Sequence, residues 1–373
     1  MHYWNGVSRV NFSDSVLSIY NIASMEIVLL RLDRIGDFIL GIPSYRALRK
    51  VYPKDRISVV VPSFVAELAK ACPYFDEVYV FEALWLFPGQ SFLRRLESAW
   101  KLIGFLRSKK IDLLFDFRYQ SRLDPLVAGL SGAKNRVGYD LGWVSRCLTT
   151  KVSQPENGSH QINRNLHLLN EFGVTTADKS LELWTHPKDL KIAQSRIPSQ
   201  ELLPNVPRIA VHLGAATPSK RWGSESFAAL LYEVHAQTQA ELYILGGEQD
   251  IAFVHEVLDG LQCPVVNLVG KLSLLEIGAF AKECHLFIGC DTGTTHLAAA
   301  ANVPVICLFS AANEVEVWKP SGPKVKVLTH HPECSPCGSH ECLRTDEYFC
   351  MNEIKVEDVM EEVKKTLTFT ALG

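Results

Sequence analysis

The sequence has little net charge, no long hydrophobic run and none of the common nucleotide-binding fingerprints, and each absence excludes a class of protein. A net charge of -3 over 373 residues leaves no dominant basic field for a nucleic-acid partner. The apolar stretches are short and interrupted by charge, so no transmembrane helix is expected. Neither half has G-x-G-x-x-G after its first strand, and Walker A and Gly-x-Ser-x-Gly sequences are absent. These absences argue against a dehydrogenase, a P-loop enzyme and an α/β-hydrolase.

The N-terminus and the cysteines point to a reducing compartment. Residues 1–24 show no basic segment followed by an apolar one, so no secretory signal is expected and a cytoplasmic location is predicted. These residues are interpreted as an N-terminal extension without an assigned function. In a reducing compartment free thiols are the default state of cysteine. Several of the ten cysteines also lie in apolar runs, where Cys behaves as a small hydrophobe.

Apolar strand-like runs alternate with helical runs through most of the chain. Strands without a polar face, separated by helices, are typical of parallel sheets covered on both sides. A chain of 373 residues holds two domains at roughly 100–200 residues each. The pattern predicts an α/β fold with two Rossmann-like, doubly wound parallel-sheet domains that face a cleft. The expected strands are 26–32, 56–61, 77–81 and 111–117, then 208–213, 241–245, 265–269, 286–289 and 303–309.

The domain boundary is predicted in a proline-rich stretch. Residues 25–185 would form the N-terminal domain, residues 186–207 a linker and residues 208–373 the C-terminal domain. The linker carries Pro187, Pro198, Pro204 and Pro207 among polar residues, a composition that suits a connection. The last helix is a candidate to pack back on the N-terminal domain. Ligands of such folds bind at the carboxyl ends of the strands.

The turn that follows the strand ending at Gly289 is the most informative segment. Asp291, Thr292, Gly293 and His296 lie between a buried strand and a helix. Free N–H groups and the positive end of the helix dipole make such a turn a site for an anion, for example a diphosphate. The alternative is an ordinary capped turn with a hydrogen-bonded histidine.

Three further loops follow strands. Asp37 comes after the first strand and is predicted to cap the next helix or to act as a general base. Thr217 and Lys220 follow the first strand of the second half, where Lys220 is either a phosphate contact or a solvated cation. Gly247 and Glu248 come after the next strand. A carboxylate there accepts hydrogen bonds from ribose or favours the helix dipole.

Two features have more than one interpretation from the sequence, a C-terminal cysteine cluster and a basic, aromatic stretch. The cysteine cluster is interpreted as a structural Zn or Fe site, as disulfides or as reduced thiols, and comprises Cys334, Cys337, Cys342 and Cys350. The basic and aromatic stretch 92–110 either contacts an anionic membrane or, as favoured, packs its apolar stripe on the sheet.

Together these residues resemble the bacterial ADP-heptose:lipopolysaccharide heptosyltransferases, a family with the GT-B fold. The resemblance runs from about Glu26 to the end. The Cys-x-Pro-Cys pattern near the C-terminus is more similar to the heptosyltransferase II type. The motifs that carry the resemblance are Arg31-x-Asp33-x-x-Gly36-Asp37, Lys220-Arg221-Trp222, Gly246-Gly247, Asp291-Thr292-Gly293-x-x-His296-Leu297, residues 130–139 and the run from His160 through Asn165 to Leu169.

The resemblance implies an inverting transfer of heptose from ADP-heptose to a lipopolysaccharide core acceptor without a catalytic metal. It implies an acceptor domain first and a donor domain second. The membrane alternative for residues 92–110 would make the protein peripheral on the cytoplasmic face of the inner membrane. Asp37 would be the base, and Arg34, Arg118 and Arg122 are candidate acceptor contacts. The donor contacts would be Thr217, Lys220, Gly247, Glu248, Asp291, Thr292, Gly293 and His296.

The chain also departs from the family pattern. Gly223 and Glu248 stand where the family usually has proline, which affects the entry to one helix and the nucleotide contact. Two alternative functions stay open. One is a heptosyltransferase that modifies a protein of the autotransporter type, and the other is a non-catalytic protein that binds nucleotide sugars.

Overall fold

The computed structural model of the protein describes residues 24–82, 89, 91–119, 121, 123–170, 172–198, 206–342, 344 and 349–370. The chain divides into two compact units between Lys179 and Ser180. Each unit contains a six-stranded parallel sheet with helices between successive strands. This architecture confirms the predicted α/β class with two doubly wound sheets.

The sheet of the first unit has the order β3-β2-β1-β4-β5-β6. Its strands are β1 (Glu26–Leu30), β2 (Arg56–Val61), β3 (Glu77–Val80), β4 (Leu113–Asp116), β5 (Asn135–Tyr139) and β6 (Thr150–Val152). Its helices are α1 (Ile35–Leu40), α2 (Ile42–Val51), α3 (Ala66–Ala71), α4 (Phe92–Arg107), α5 (Asp124–Leu130) and α6 (Gln161–Asn170).

The sheet of the second unit has the order β12-β11-β10-β7-β8-β9. Its strands are β7 (Arg208–His212), β8 (Glu241–Leu245), β9 (Val266–Asn267), β10 (Leu286–Cys290), β11 (Val305–Leu308) and β12 (Val325–Leu328). Its helices are α7 (Pro187–Ser195), α8 (Ser224–Thr238), α9 (Ile251–Leu258), α10 (Leu274–Ala281), α11 (Gly293–Ala300), α12 (Val315–Trp318), α13 (Phe349–Asn352) and α14 (Val356–Thr370).

Both sheets share one topology, and it places the candidate loops. The central strands are buried over almost their whole length, because helices cover both faces of a parallel sheet. The strand order reverses between β1 and β4 in one unit and between β7 and β10 in the other. Ligands of doubly wound folds bind outside the carboxyl ends of the strands at such a reversal. The loops after these four strands are therefore the candidate site loops.

The predicted linker is partly helical. Helix α7 occupies Pro187–Ser195 and packs on α10, so this stretch belongs to the second unit. Proline is favoured at the first helical position, where its missing N–H is not needed. His186 accepts the N–H of Lys188 at 3.1 Å, and Asp189 accepts the N–H of His186 at 2.7 Å. These local caps explain why a proline-rich stretch forms a helix here.

The structure shows where the last helix packs and contains three strands that the sequence did not predict. Helix α14 packs on α8, β10 and β11 of its own unit, and Val359, Met360 and Val363 enter the core there. Strands β5, β6 and β12 were not expected from the sequence. Within the described ranges, no helix combines the length and the apolarity needed to cross a membrane.

Candidate active site

Asp37 lies in the first turn of α1 with part of its carboxylate available. The prediction that Asp37 precedes the next helix as its N-cap is wrong, because α1 begins at Ile35. Asp37 is the third helical residue, and its Oδ2 accepts the N–H of Arg34 at 3.3 Å. An acid at this position reaches back to the residue that precedes the helix. The side chain is half-buried, and Oδ1 accepts no hydrogen bond from any residue in the described part of the chain.

The buried Arg31 side chain fixes the backbone under Asp37. Its Nη2 donates to the carbonyl oxygen of Asp37 and lies 3.2 Å from Asp33 Oδ2. Its Nη1 donates to Asn165 Oδ1 at 3.2 Å, and Asn165 Nδ2 donates to the carbonyl of Leu40 at 3.1 Å. The guanidinium thereby joins the loop after β1 to helix α6.

Two carboxyl groups of this loop have different environments. Burial raises the pKa of Asp33 to about 7, although Arg31 opposes the rise. Asp33 therefore belongs to the supporting network and has lost part of its contact with solvent. Asp37 is half-buried. The two carboxyl groups of this loop are therefore not equivalent.

The three predicted acceptor arginines are placed unequally. Arg34 is exposed beside Asp37. Arg118 follows β4, and its Nη1 lies 3.2 Å from Asp124 Oδ2, so its charge is partly compensated. Arg122 lies outside the described residues. Arg34 and Arg118 follow β1 and β4, which are adjacent parallel strands, so the structure puts them at the same edge of the sheet.

In the second unit, three loops converge on Asp291. The carboxylate follows β10, and its Oδ2 lies 2.7 Å from Lys220 Nζ in the loop after β7. Its Oδ1 lies 3.6 Å from His296 Nε2. Asn313, in the loop after β11, donates to Oδ2 at 3.2 Å. Lys220, Asp291 and His296 were all predicted donor contacts, and the fold brings them together.

The charge of Asp291 is strongly stabilised. Burial opposes ionisation, but Lys220 and His296 outweigh it and lower the pKa of Asp291 to about 2. The carboxylate is therefore ionised throughout the neutral range and holds the ammonium group of Lys220 in one position. A fixed cation is more useful to a bound phosphate than a freely rotating one, because it loses less side-chain entropy on binding.

Helix α11 presents unused hydrogen-bond donors beside this cluster. Thr292 precedes the helix and makes no side-chain cap bond. No hydrogen bond within the described part of the chain uses the N–H groups of Gly293, Thr294 and Thr295. His296 is buried, and its Nδ1 also lacks a hydrogen-bond partner there. Open amides at a helix N-terminus, with a lysine nearby, form an environment for an anion.

The other predicted donor contacts lie on the neighbouring loops. Thr217 is half-buried, with its Oγ1 3.3 Å from Ser219 Oγ. Glu248 is exposed at the start of a short turn after β8. The N–H of Gly247 donates to Asp250 Oδ2 at 2.9 Å, so it is already used. Thr217 and Glu248 thus keep polar groups available.

Sequence reasoning did not identify several residues of this region. His212 ends β7 and contacts Asp250 and Thr292 at 3.2 Å each, while Asn313 holds Asp291. Neither His212 nor Asn313 belongs to a motif that carries the family resemblance. A histidine as the last residue of a buried strand, directly before Leu213-Gly214, is the one signal that the sequence offers.

The four C-terminal cysteines are not arranged as a metal site. All are free, with Cys334 and Cys337 exposed. Over the ranges that the structure describes, no group of three or more His, Cys, Asp or Glu side chains could hold a metal ion, so the predicted structural metal has no support. The segment instead contacts the loops that follow β7 and β11. His340 accepts the N–H of Ser219 at 3.2 Å, and Gly338 donates to the carbonyl of Ala312 at 2.8 Å.

Residues 100–346 match the model of glycosyltransferase family 9 (heptosyltransferase). The chain belongs to this family. It is 26% identical over 290 residues to lipopolysaccharide heptosyltransferase 3 of Escherichia coli, covering 76% of this chain and 83% of that protein. The family assignment identifies the protein as a glycosyltransferase and confirms the resemblance drawn from the motifs.

Solved structures show the same fold. The glycosyl transferase family 9 protein of Veillonella parvula DSM 2008 superposes with a TM-score of 0.78 at 21% identity, covering 92% of this chain and 97% of that one. The E. coli ADP-heptose lps heptosyltransferase II superposes with a TM-score of 0.72 at 20% identity, covering 93% and 100%. The two doubly wound units of this heptosyltransferase are therefore those of the GT-B fold.

Proposed function

We propose that the protein is an inverting glycosyltransferase that moves a heptose from ADP-heptose to a lipopolysaccharide inner-core acceptor without a catalytic metal ion. The observation that carries this proposal is the cluster of Lys220, Asp291 and His296 beside the open N–H groups of α11. The name of the superposed E. coli enzyme, an ADP-heptose lps heptosyltransferase, supports the choice of donor.

In the proposed reaction, the first unit supplies the base and the second unit holds the donor. Asp37 takes the proton of an acceptor hydroxyl, and the oxygen of that hydroxyl forms a bond to C1 of the heptose. The bond between C1 and the diphosphate oxygen breaks on the opposite side of the sugar, so the configuration at C1 inverts and ADP leaves. The negative charge on the departing diphosphate is stabilised by Lys220, by His296 and by the α11 amides. Fixed positive groups of this kind take the place of a divalent cation.

The remaining donor contacts follow from the same assignment. Glu248 is exposed after β8, where a carboxylate can accept hydrogen bonds from ribose hydroxyls. Thr217 has a hydroxyl beside the Lys220 loop and can donate to a phosphate oxygen. We assign the acceptor side to Arg34, Arg118 and Arg122, whose cations suit an anionic saccharide.

A nucleotide screen tests the donor assignment. ADP is expected to raise the unfolding temperature more than UDP, GDP or CMP at equal concentration, because only a ligand that binds the native state stabilises it. The shift with ADP should be the same with EDTA as with magnesium. A larger shift with UDP or GDP would make the ADP assignment wrong, and a shift that requires magnesium would contradict the metal-free mechanism.

We also propose that helix α4 contacts the anionic surface of the membrane that contains the acceptor. One face of α4 is buried in its own unit, as the sequence predicted, through Ser98, Ala99, Leu102, Ile103 and Leu106. Near its start, Phe92 and Leu93 are 72% and 77% exposed, and Trp100 is 58% exposed. Exposed apolar side chains among cations are typical of helices that lie at a membrane surface. The exposed cations of this helix are Arg94, Lys101 and Arg107.

Vesicle flotation tests the membrane contact. The wild type is expected to float with vesicles that contain phosphatidylglycerol and not with pure phosphatidylcholine. Replacing Phe92, Leu93 and Trp100 together with Ser should reduce the bound fraction about tenfold or more, because each buried apolar side chain contributes roughly 1.5–3 kcal/mol. Trp143→Ser is the control, since Trp143 is 67% exposed and lies outside α4. Equal flotation of the triple variant and the wild type would contradict this role.

A further inference from the structure

Thr292 occupies the N-cap position of α11, but its hydroxyl does not cap the helix. A threonine at this position ordinarily accepts a hydrogen bond from an N–H of the first turn. In this structure the residue makes no such bond, and its Oγ1 lies 3.2 Å from Nδ1 of His212. The hydroxyl of Thr292 therefore contacts side chains, those of His212, Thr294 and Thr295, and not the amides of its own helix.

His212 is held in turn by Asp250. Both side chains are buried, and His212 Nε2 lies 3.2 Å from Asp250 Oδ2. Burial alone would raise the pKa of Asp250, but the His212 contact and the N–H of Gly247 outweigh it and lower this pKa. An ionised carboxylate only accepts, so Nε2 carries the hydrogen. Nδ1 of a neutral ring accepts the hydroxyl hydrogen of Thr292, and Nδ1 of a charged ring donates to the hydroxyl oxygen, so His212 engages this hydroxyl in either state.

The surrounding glycines show that this arrangement needs space. A Cβ atom at Gly214 would collide with the carboxylate of Asp250, and one at Gly246 would lie 2.9 Å from its Oδ2. The two glycines follow β7 and β8, on either side of the carboxylate. Neither has a positive φ. Glycine is needed at these positions because a side chain would occupy the space of the Asp250 carboxylate. The ends of β7 and β8 are thus built around Asp250.

We propose that His212 and Asp250 are positioning residues that hold the Thr292 hydroxyl away from the first turn of α11 and so keep its amides free for the diphosphate of the donor. This inference rests on the proposed function, since it assumes that the donor diphosphate binds at α11. The neighbouring hydroxyls are compatible with it. Thr295 Oγ1 donates to the carbonyl of Cys290 at 2.6 Å, and Thr294 Oγ1 lies 2.9 Å from Thr292 Oγ1.

A double-mutant cycle measured by calorimetric titration with ADP tests the proposal. His212→Leu releases Thr292, whose hydroxyl then caps α11 in competition with the ligand. We expect about tenfold weaker ADP binding, the loss of one hydrogen bond to a charged group. In a Thr292→Val background no hydroxyl can cap the helix, so the same His212→Leu change should alter the affinity by less than about twofold. His212→Asn, whose amide stands near the Nδ1 position, should bind ADP much like the wild type.

The outcomes separate the two proposals. If the wild type does not bind ADP, the proposed function fails. If the wild type binds and His212→Leu binds equally well, the positioning role alone fails. If His212→Leu is weakened to the same extent with and without the Thr292 hydroxyl, histidine acts only as a structural residue and the inference is also overturned. The control is His285→Leu, because His285 is exposed and accepts the N–H of Arg208 at 3.0 Å before the start of β10.

Discussion

Replacing Asp37 with Asn is expected to reduce heptose transfer by roughly 10²- to 10⁴-fold, the usual contribution of a general base, while ADP affinity stays within about twofold of the wild type. The amide keeps the size of the side chain and can still accept the N–H of Arg34, so helix α1 should form normally. It cannot take a proton from the acceptor hydroxyl. The measurements are turnover with ADP-heptose and an inner-core acceptor, and calorimetric titration with ADP.

Asp112→Asn is the matched control for this prediction. Asp112 lies in the same unit, and its Oδ2 likewise accepts a backbone N–H, that of Glu26 at 2.9 Å. It precedes β4 and therefore lies at the opposite edge of the sheet from Asp37. The control should retain wild-type turnover. If Asp37→Asn keeps more than a tenth of the wild-type rate, Asp37 is not the base. If the wild type binds ADP but never consumes donor, the non-catalytic alternative is favoured.

The fold could be predicted because the central strands are recognisable as continuous apolar runs. Strands such as β1 and β10 are apolar on both faces, which only a covered parallel sheet accommodates. The unpredicted strands β5, β6 and β12 carry polar or charged residues, for example Asn135, Lys151 and Lys326, and β6 and β12 lie at sheet edges. An edge strand has one neighbour and one open side, so its sequence is less constrained. Periodicity alone could not distinguish these segments from loops.

The site was predictable to the extent that it depends on chain order. Lys220 and Asp291 each follow a strand, and the carboxyl ends of parallel strands meet at one edge. That argument does not say which loops are neighbours. The contact of His212 with Asp250 requires β7 to lie next to β8, and its contact with Thr292 requires β10 on the other side of β7. Strand order is a property of the assembled sheet, and no local pattern encodes it.

The position of Asp37 shows a second limit of local reasoning. An aspartate before an apolar helical run is interpreted as an N-cap, yet the helix starts two residues earlier, with Arg34 before it. The acid at the third helical position instead accepts the N–H of Arg34, the residue that precedes the helix. Both arrangements use an acid near the start of a helix, and the sequence does not distinguish them; in the structure this loop is tied to α6 by Arg31 and Asn165.

Replacing Lys220 with Met is expected to reduce kcat/KM for transfer by roughly 10²- to 10³-fold, as the loss of one charge-stabilising donor does in other enzymes, and to weaken ADP binding as well. Methionine keeps the apolar stem and removes the ammonium group that lies 2.7 Å from Asp291. The buried carboxylate then faces the diphosphate without its strongest counter-charge, so repulsion adds to the lost attraction. Lys324→Met is the control, since Lys324 is exposed and lies before β12, at the opposite end of the strands.

The same variant should also lose stability in a pH-dependent way. Removing one partner of a buried ion pair costs about 3 kcal/mol or more in the free energy of unfolding. In the wild type the pKa of Asp291 is lowered to about 2 from a usual 3.8, so its contribution is complete above pH 3.8 and is lost as the pH falls towards 2. Without Lys220, burial raises the pKa of Asp291 in the variant, so the difference in unfolding free energy between wild type and Lys220→Met should be constant near neutral pH and narrow as the pH falls through that raised pKa towards 2. Denaturant titrations between pH 7 and pH 3 measure it. A difference that stays constant across this range would mean that Lys220 does not control the ionisation of Asp291, and the electrostatic basis of the proposed donor site would be wrong.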